Sequence, residues 1–297
     1  MKDNPKFVPI VLLLSLSLIW GTSFILIKQG LKVFAPQEVG ALRVLAASLF
    51  LLPFAFIHFK ELNKGDHLKL FISGLLAIFF PAFLFAIAQT HLNSSVAGIL
   101  NTLSPVWTMI IGAMFFGQRF KGFAIVGILV SFAGTILLAI SRSDDGLPIE
   151  GFAGINTYAL LVVLACALYA TNLNLVKFKI HNLGSMTITS VSLLFISPLA
   201  AIYLFGFTEF TTTLNTHPDA WRAFGFVVLL AFMSTAVANL IFNKLLRIST
   251  PLFASSVTYI MPIVAVMWGM LDGETLVLGH FVGMAAILGG VYLANRK

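Results

Sequence analysis

Polar residues along this chain punctuate rather than alternate, leaving ten apolar stretches of about twenty residues between short polar breaks. They run from Phe7 to Ile27, Gln37 to Phe59, Leu68 to Thr90, Ser94 to Gly117, Gly122 to Ser141, Thr157 to Val176, Gly184 to Phe205, Trp221 to Asn243, Pro251 to Leu271 and Val277 to Ala294. A helix crossing about 30 Å of hydrocarbon needs roughly 20 mainly apolar residues, because each backbone polar group must find its partner inside the segment. The pattern therefore predicts an all-α integral membrane protein with ten transmembrane helices. Breaks such as KELNKGDH after the second stretch and SRSDDGLPIEG after the fifth are too short to hold a soluble domain. The first stretch is longer than the apolar core of a signal peptide and lacks a small-residue cleavage site, so it reads as a span.

Composition supports this picture. Hydrophobic residues fill 59% of the 297 positions and charged residues only 10%, with a mean hydropathy of +1.00, whereas soluble domains carry about 25% charged residues. Cys166 is the single cysteine, which excludes a disulfide framework and a cysteine-based metal site and leaves it to core packing. The basic residues behind the net charge of +7 fall singly or in small groups between apolar runs, which speaks for membrane orientation and against nucleic acid.

Short cytoplasmic loops collect lysine and arginine. With the N-terminus inside, that side holds thirteen of them, Lys2, Lys6, Lys60, Lys64, Lys69, Arg119, Lys121, Lys177, Lys179, Lys244, Arg247, Arg296 and Lys297. The other side holds four, Lys28, Lys32, Arg142 and Arg222. Both termini are therefore expected in the cytoplasm, with the chain multi-pass in a cytoplasmic membrane.

An internal repeat gives the sharper clue. SPVWTMIIGAMFFGQ around Pro105 matches MPIVAVMWGMLDGE around Pro262, and Gly117, Gly127 and Gly134 keep the spacing of ten and seven residues found in Gly273, Gly283 and Gly290. IWGTSFILIK, ending at Lys28, echoes LYATNLNLVK, ending at Lys177, and Pro53 and Pro198 sit late in the spans that follow. The chain thus divides near Asp145 into two units of five spans, residues 1–145 and 146–297. Five is odd, so the second unit must lie upside down relative to the first. Inverted repeats of this kind recur in secondary transporters, with the substrate near mid-membrane where they meet.

At these residues the chain resembles the EamA-type drug/metabolite transporters. The likeness rests on Trp20-Gly21, Arg43, the Asn/Ser-rich start of the fourth span leading to Pro105, the Gly117-Gln118 turn, Pro262 and Gly273-Glu274. It implies ten helices, alternating access by two inverted halves, and export or uptake of amino acids and other metabolites. One departure is Gln118, where the family usually has Glu, as in Gly273-Glu274.

Polar groups inside spans are the first candidates for a binding site, since burying them costs energy unless they pair or line a wet cavity. Trp20, Thr22 and Ser23 interrupt the first span, and Tyr169, Thr171, Asn172 and Asn174 interrupt the sixth. Asn101 and Thr102 precede Pro105, and Thr258 and Tyr259 precede Pro262. Each proline removes a helical hydrogen bond, which makes Pro105 and Pro262 candidate hinges beside a solute. Interhelical hydrogen bonding is the competing role for these polar groups. Arg43 is the one cation well inside an apolar stretch; it attracts a carboxylate or, the favoured reading, reaches the outer interface and pairs with Glu38. Gln89, His91, Asn239, Asn243 and His280 read as interfacial, Lys28 and Lys177 as orientation anchors, and the glycines after each proline as close-packing sites.

No carboxylate falls mid-span, which disfavours proton coupling through a buried acid and leaves facilitated diffusion or exchange open. The chain lacks HExxH, GxSxG and Walker signatures, so an enzyme is not expected, nor any cofactor or metal. A channel and a scaffold are the remaining rivals to a carrier. Nucleotide sugars would call for several cations facing the site, so neutral or zwitterionic solutes lead, with amino acids first by resemblance. The expected partners are the small-molecule substrate and the lipid bilayer, around a monomer or weak dimer.

Overall fold

The computed structural model describes residues 7–118, 122–141, 156–249, 254 and 257–294, and among them it contains helices and no strand. The helices are α1 (Phe7–Leu31), α2 (Pro36–Phe59), α3 (Asp66–Ala88), α4 (Ser94–Phe116), α5 (Gly122–Ile140), α6 (Tyr158–Lys179), α7 (Ser185–Gly206), α8 (Phe210–Thr216), α9 (Ala220–Ile248), α10 (Val257–Leu271) and α11 (Leu278–Ala294). Seven of them, α1 to α4, α6, α7 and α9, are long and apolar enough to cross a membrane. The apolar runs of α5, α10 and α11 are shorter, Gly122–Leu137, Ile260–Leu271 and Leu278–Gly290. The protein is a multi-pass membrane protein. The predicted boundary at Asp145, the side chain of Tyr259 and the cations Lys2, Lys6, Arg119, Lys121, Arg142, Arg296 and Lys297 lie outside the described residues.

Local chemistry sets where helices start and stop. Pro36 opens α2, where its missing N–H costs nothing, and the Glu38 carboxylate accepts the Ala35 N–H at 2.9 Å. Gly117 (φ +67°) ends α4 and Gly273 (φ +85°) follows α10, both in the left-handed region that side chains avoid, so the first glycine of each repeated set is a stop signal.

Three features depart from the regular spans the hydropathy pattern predicts. The helix α3 carries a π turn at Leu75–Phe79, and α9 carries another at Ala231–Val237. In α4 a 3₁₀ turn at Asn101–Leu103 comes just before Pro105, whereas α10 runs as α-helix through Pro262. The polar segment FTTTLNT, read as loop, forms α8, held by the buried Phe210 ring 5.4 Å from that of Phe34.

Helices pair across the two halves. The pairs α2 with α7 and α5 with α11 join equivalent members, while α1 packs on α10 and α9 as α6 packs on α4 and α3. Glycine makes the closest contacts possible: a Cβ at Gly134 would meet the Gly283 carbonyl at 2.8 Å, and one at Gly290 would meet the Gly127 carbonyl at 2.5 Å. The small-residue faces read from the sequence therefore meet each other within one chain. Large apolar side chains such as Phe56, Leu129, Ile202 and Ile263 stay exposed, as a lipid-facing surface requires.

Candidate functional site

A cavity of about 580 Å³ lies between the halves. Trp20 and Ser23 of α1, Arg43 of α2, Asn101 and Pro105 of α4, Tyr169 and Asn172 of α6, and Thr258 of α10 all line it. Of the described residues singled out from the sequence as site candidates, Thr22, Thr102, Thr171 and Pro262 are outside the wall. Thr102 is fully buried and donates its hydroxyl to the Ile99 carbonyl at 2.7 Å, the back-bonding open to a threonine inside a tight turn.

The two halves supply equivalent contacts. In α1, Ser23 donates to the Ser234 hydroxyl at 2.6 Å, and Trp20 Nε1 donates to the Ser234 carbonyl at 3.1 Å. In α6, Asn172 at the position equivalent to Ser23 accepts from Ser73 at 2.7 Å. Ser234 lies in the π turn of α9, and Ser73 is just before that of α3. A π turn leaves carbonyls without their i+4 partners and so offers acceptors to a neighbour or a ligand.

Arg43 does not pair with Glu38. The Glu38 carboxylate caps its own helix, while Arg43 Nε donates to Thr235 Oγ1 at 2.7 Å with the residue 9% exposed. The π turn brings Thr235 into reach, and a run such as AFMSTAV carries no mark of it beyond two small hydroxyl residues in an apolar span. Asn239 and Asn243 also line the cavity rather than an interface. His280, read as a headgroup contact, is instead buried, its Nδ1 accepting the Val277 N–H at 3.1 Å, while His91 stays half-buried at the end of α3 and stacks on Tyr158 with ring centroids 3.9 Å apart.

The ends of the cavity differ. One reaches Lys177, an exposed residue in the last turn of α6, and is therefore open there. Toward the other end its walls are the buried Phe24, Ile27 and Phe85. One residue beyond Ile27, Lys28 pairs with Asp272 at 2.8 Å and Glu274 at 2.9 Å, so it is more than an anchor. Glu274 sits at the N-terminus of α4, taking N–H and hydroxyl donors from both Ser94 (2.9 and 2.6 Å) and Ser95 (3.0 and 2.7 Å). Helix N-termini favour anions for this reason. Burial pushes the Glu274 carboxyl up, but the bonds from Ser94, Lys28 and Ser95 outweigh it and hold the group below the usual glutamate range. Gly269 is required here, because a Cβ would overlap Ser95 Oγ and the Glu274 carboxylate. By the repeat, Glu274 and Lys28 correspond to Gln118 and Lys177, and both of those line the cavity.

Comparison with known proteins agrees with this architecture. The model of the EamA-like transporter family matches residues 8–140 and again residues 156–296. An uncharacterized transporter of Archaeoglobus fulgidus is 26% identical over 289 residues, covering 94% of this chain and 95% of its own. The uncharacterized inner membrane transporter YedA of Escherichia coli K12 is 25% identical over 293 residues, 95% of this chain and 89% of its own. A solved crystal structure 14% identical superposes with a TM-score of 0.66 over 99% of this chain and 97% of that one, a likeness of fold alone.

Proposed function

Because the chain belongs to the EamA-like transporter family and is a membrane transporter, we propose that it is a ten-span secondary carrier working by alternating access between two inverted halves. The observation that carries this reading is the cavity itself, walled by both halves, reaching the exposed Lys177 at one end and ending on the buried Phe24, Ile27 and Phe85 at the other, one residue short of the Lys28–Glu274–Ser94 cluster that we take as its closure. Helix pairings that exchange when the halves are swapped support an inverted repeat, since such halves can trade inward-open and outward-open shapes. The lysine and arginine bias supports a sidedness with both termini and the open mouth in the cytoplasm and the Lys28 cluster at the outer face.

The proposed cargo is a small organic metabolite, an amino acid or related solute, moved outward across the cytoplasmic (inner) membrane. Trp20, Ser23, Asn101, Tyr169, Asn172 and Thr258 are the proposed contacts, with Pro105 and Pro262 as hinges. Arg43 and Lys177 are the two cations on the described wall, too few to favour nucleotide sugars. The closed end speaks against a continuously open channel. Reconstituted protein should show saturable counterflow of metabolites; flux that rises linearly with concentration would turn the reading into a channel.

A further inference from the structure

Resting on that reading, we infer that Arg43 forms a carboxylate subsite and that the transported class is organic acids of net charge zero or minus one, with zwitterionic amino acids included and organic cations shut out. Arg43 is 9% exposed and lies on the cavity wall. Its Nε is tethered to Thr235 Oγ1 at 2.7 Å, which fixes the plane of the guanidinium. Its terminal N–H groups have no acceptor among the described residues, and its nearest acid in sequence, Glu38, is engaged at the start of α2. No described ion pair includes Arg43, and among the described residues no aspartate or glutamate lines the cavity.

A guanidinium stays protonated, so this cavity wall carries a permanent positive charge. Two parallel N–H groups match a carboxylate in the bidentate geometry that makes such bonds strong. Trp20 and Phe242, with ring centroids 5.1 Å apart, offer an apolar surface for the rest of the solute, and the Asn172 and Asn239 amides offer oxygens to an ammonium group where one is present. Lys177 at the mouth adds a second positive charge that repels cations and draws anions inward. A phosphate dianion would be held by only one fork already bound on one edge, which favours the singly charged carboxylate.

The test uses the full-length protein in detergent and matched probes: the twenty amino acids and aromatic monocarboxylates such as benzoate, each against its amide, with inorganic phosphate alongside. Thermal unfolding reads binding, and counterflow into proteoliposomes reads transport. The acid of at least one pair should stabilise the protein while its amide does not. Arg43→Gln should weaken that acid at least tenfold, and Arg43→Lys should retain part of it, a point charge without the fork. Acids no better than their amides, tighter binding of phosphate, or binding unchanged in Arg43→Gln would overturn the subsite, and the acid-against-amide comparison on the parent protein holds even if the variants fail to fold. Binding of the acid without any counterflow would leave the subsite standing and sink the carrier instead; flux of an organic cation would do the reverse.

Discussion

Glu274 shows how much can hang on one side chain. It receives four hydrogen bonds from Ser94 and Ser95 and an ion pair from Lys28, joining α1, α4 and the turn after α10. Replacing it by Gln, as nature has at Gln118, removes the charge and leaves the shape. A hydrogen bond to a charged group contributes about 1.5 to 3 kcal/mol, so Glu274→Gln should move the closed-to-open balance at the Lys28 end on the order of ten- to a hundredfold. Spin labels at Val33 and Thr275 would report that shift as a longer distance; an unchanged distribution would remove the cluster as a closure. Acid should act in the same direction. The carboxyl is held below its ordinary value, so its contribution is complete above the usual glutamate range and is lost only as pH falls through the depressed value. The label distance should therefore be constant from neutral to mildly acid pH and lengthen only below that range. Trp20, Ser23, Tyr169 and Asn172 were legible in the sequence because a polar letter inside an apolar run is conspicuous. The pairing of Lys28 with Glu274 was not: the two are 246 positions apart, and although the repeat picks out each of them, nothing in either segment says that they meet.

At the scale of helices, close approach is set by glycine and irregularity by π turns. A Cβ at Gly98 would collide with Ala265 and crowd Phe24 at 3.3 Å, where α4 meets α10 and α1, whereas Gly225 in α9 faces open space. Overpacking costs about 1 to 3 kcal/mol, so Gly98→Val should lower the melting temperature in detergent by several degrees. Gly225→Ala should hold or slightly raise it, since alanine favours a helix over glycine by roughly 0.5 to 1 kcal/mol. Equal effects of the two would refute the contact assigned to Gly98. Helix positions were readable because lipid demands long apolar runs. The π turns were not, because LLAIF and AFMSTAV have the same hydropathy in either winding and no proline or glycine within them marks the change.

For the whole molecule, the sidedness read from lysine and arginine makes a direct claim. A cysteine at Lys64, in a Cys166→Ala background, should react with an impermeant thiol reagent only from the cytoplasmic side, and strong labelling from outside intact cells would reverse the topology. The pairing of α1 with α10 and of α4 with α6 carries a consequence for how the chain is made. Synthesis runs from the N-terminus, so Lys28, Ser94 and Ser95 enter the bilayer long before Glu274 exists to satisfy them. The first half must wait, loosely assembled, until the penultimate helix arrives, and the bonds that Glu274 then makes to Lys28 and Ser94 span 246 and 180 positions. Such a fold is governed by late, long-range events, and its vulnerable species is a nascent intermediate with donors and a lysine still unmatched. Stopping the chain before Glu274 should accordingly yield a product that membrane quality control removes, even though every span up to that point is present.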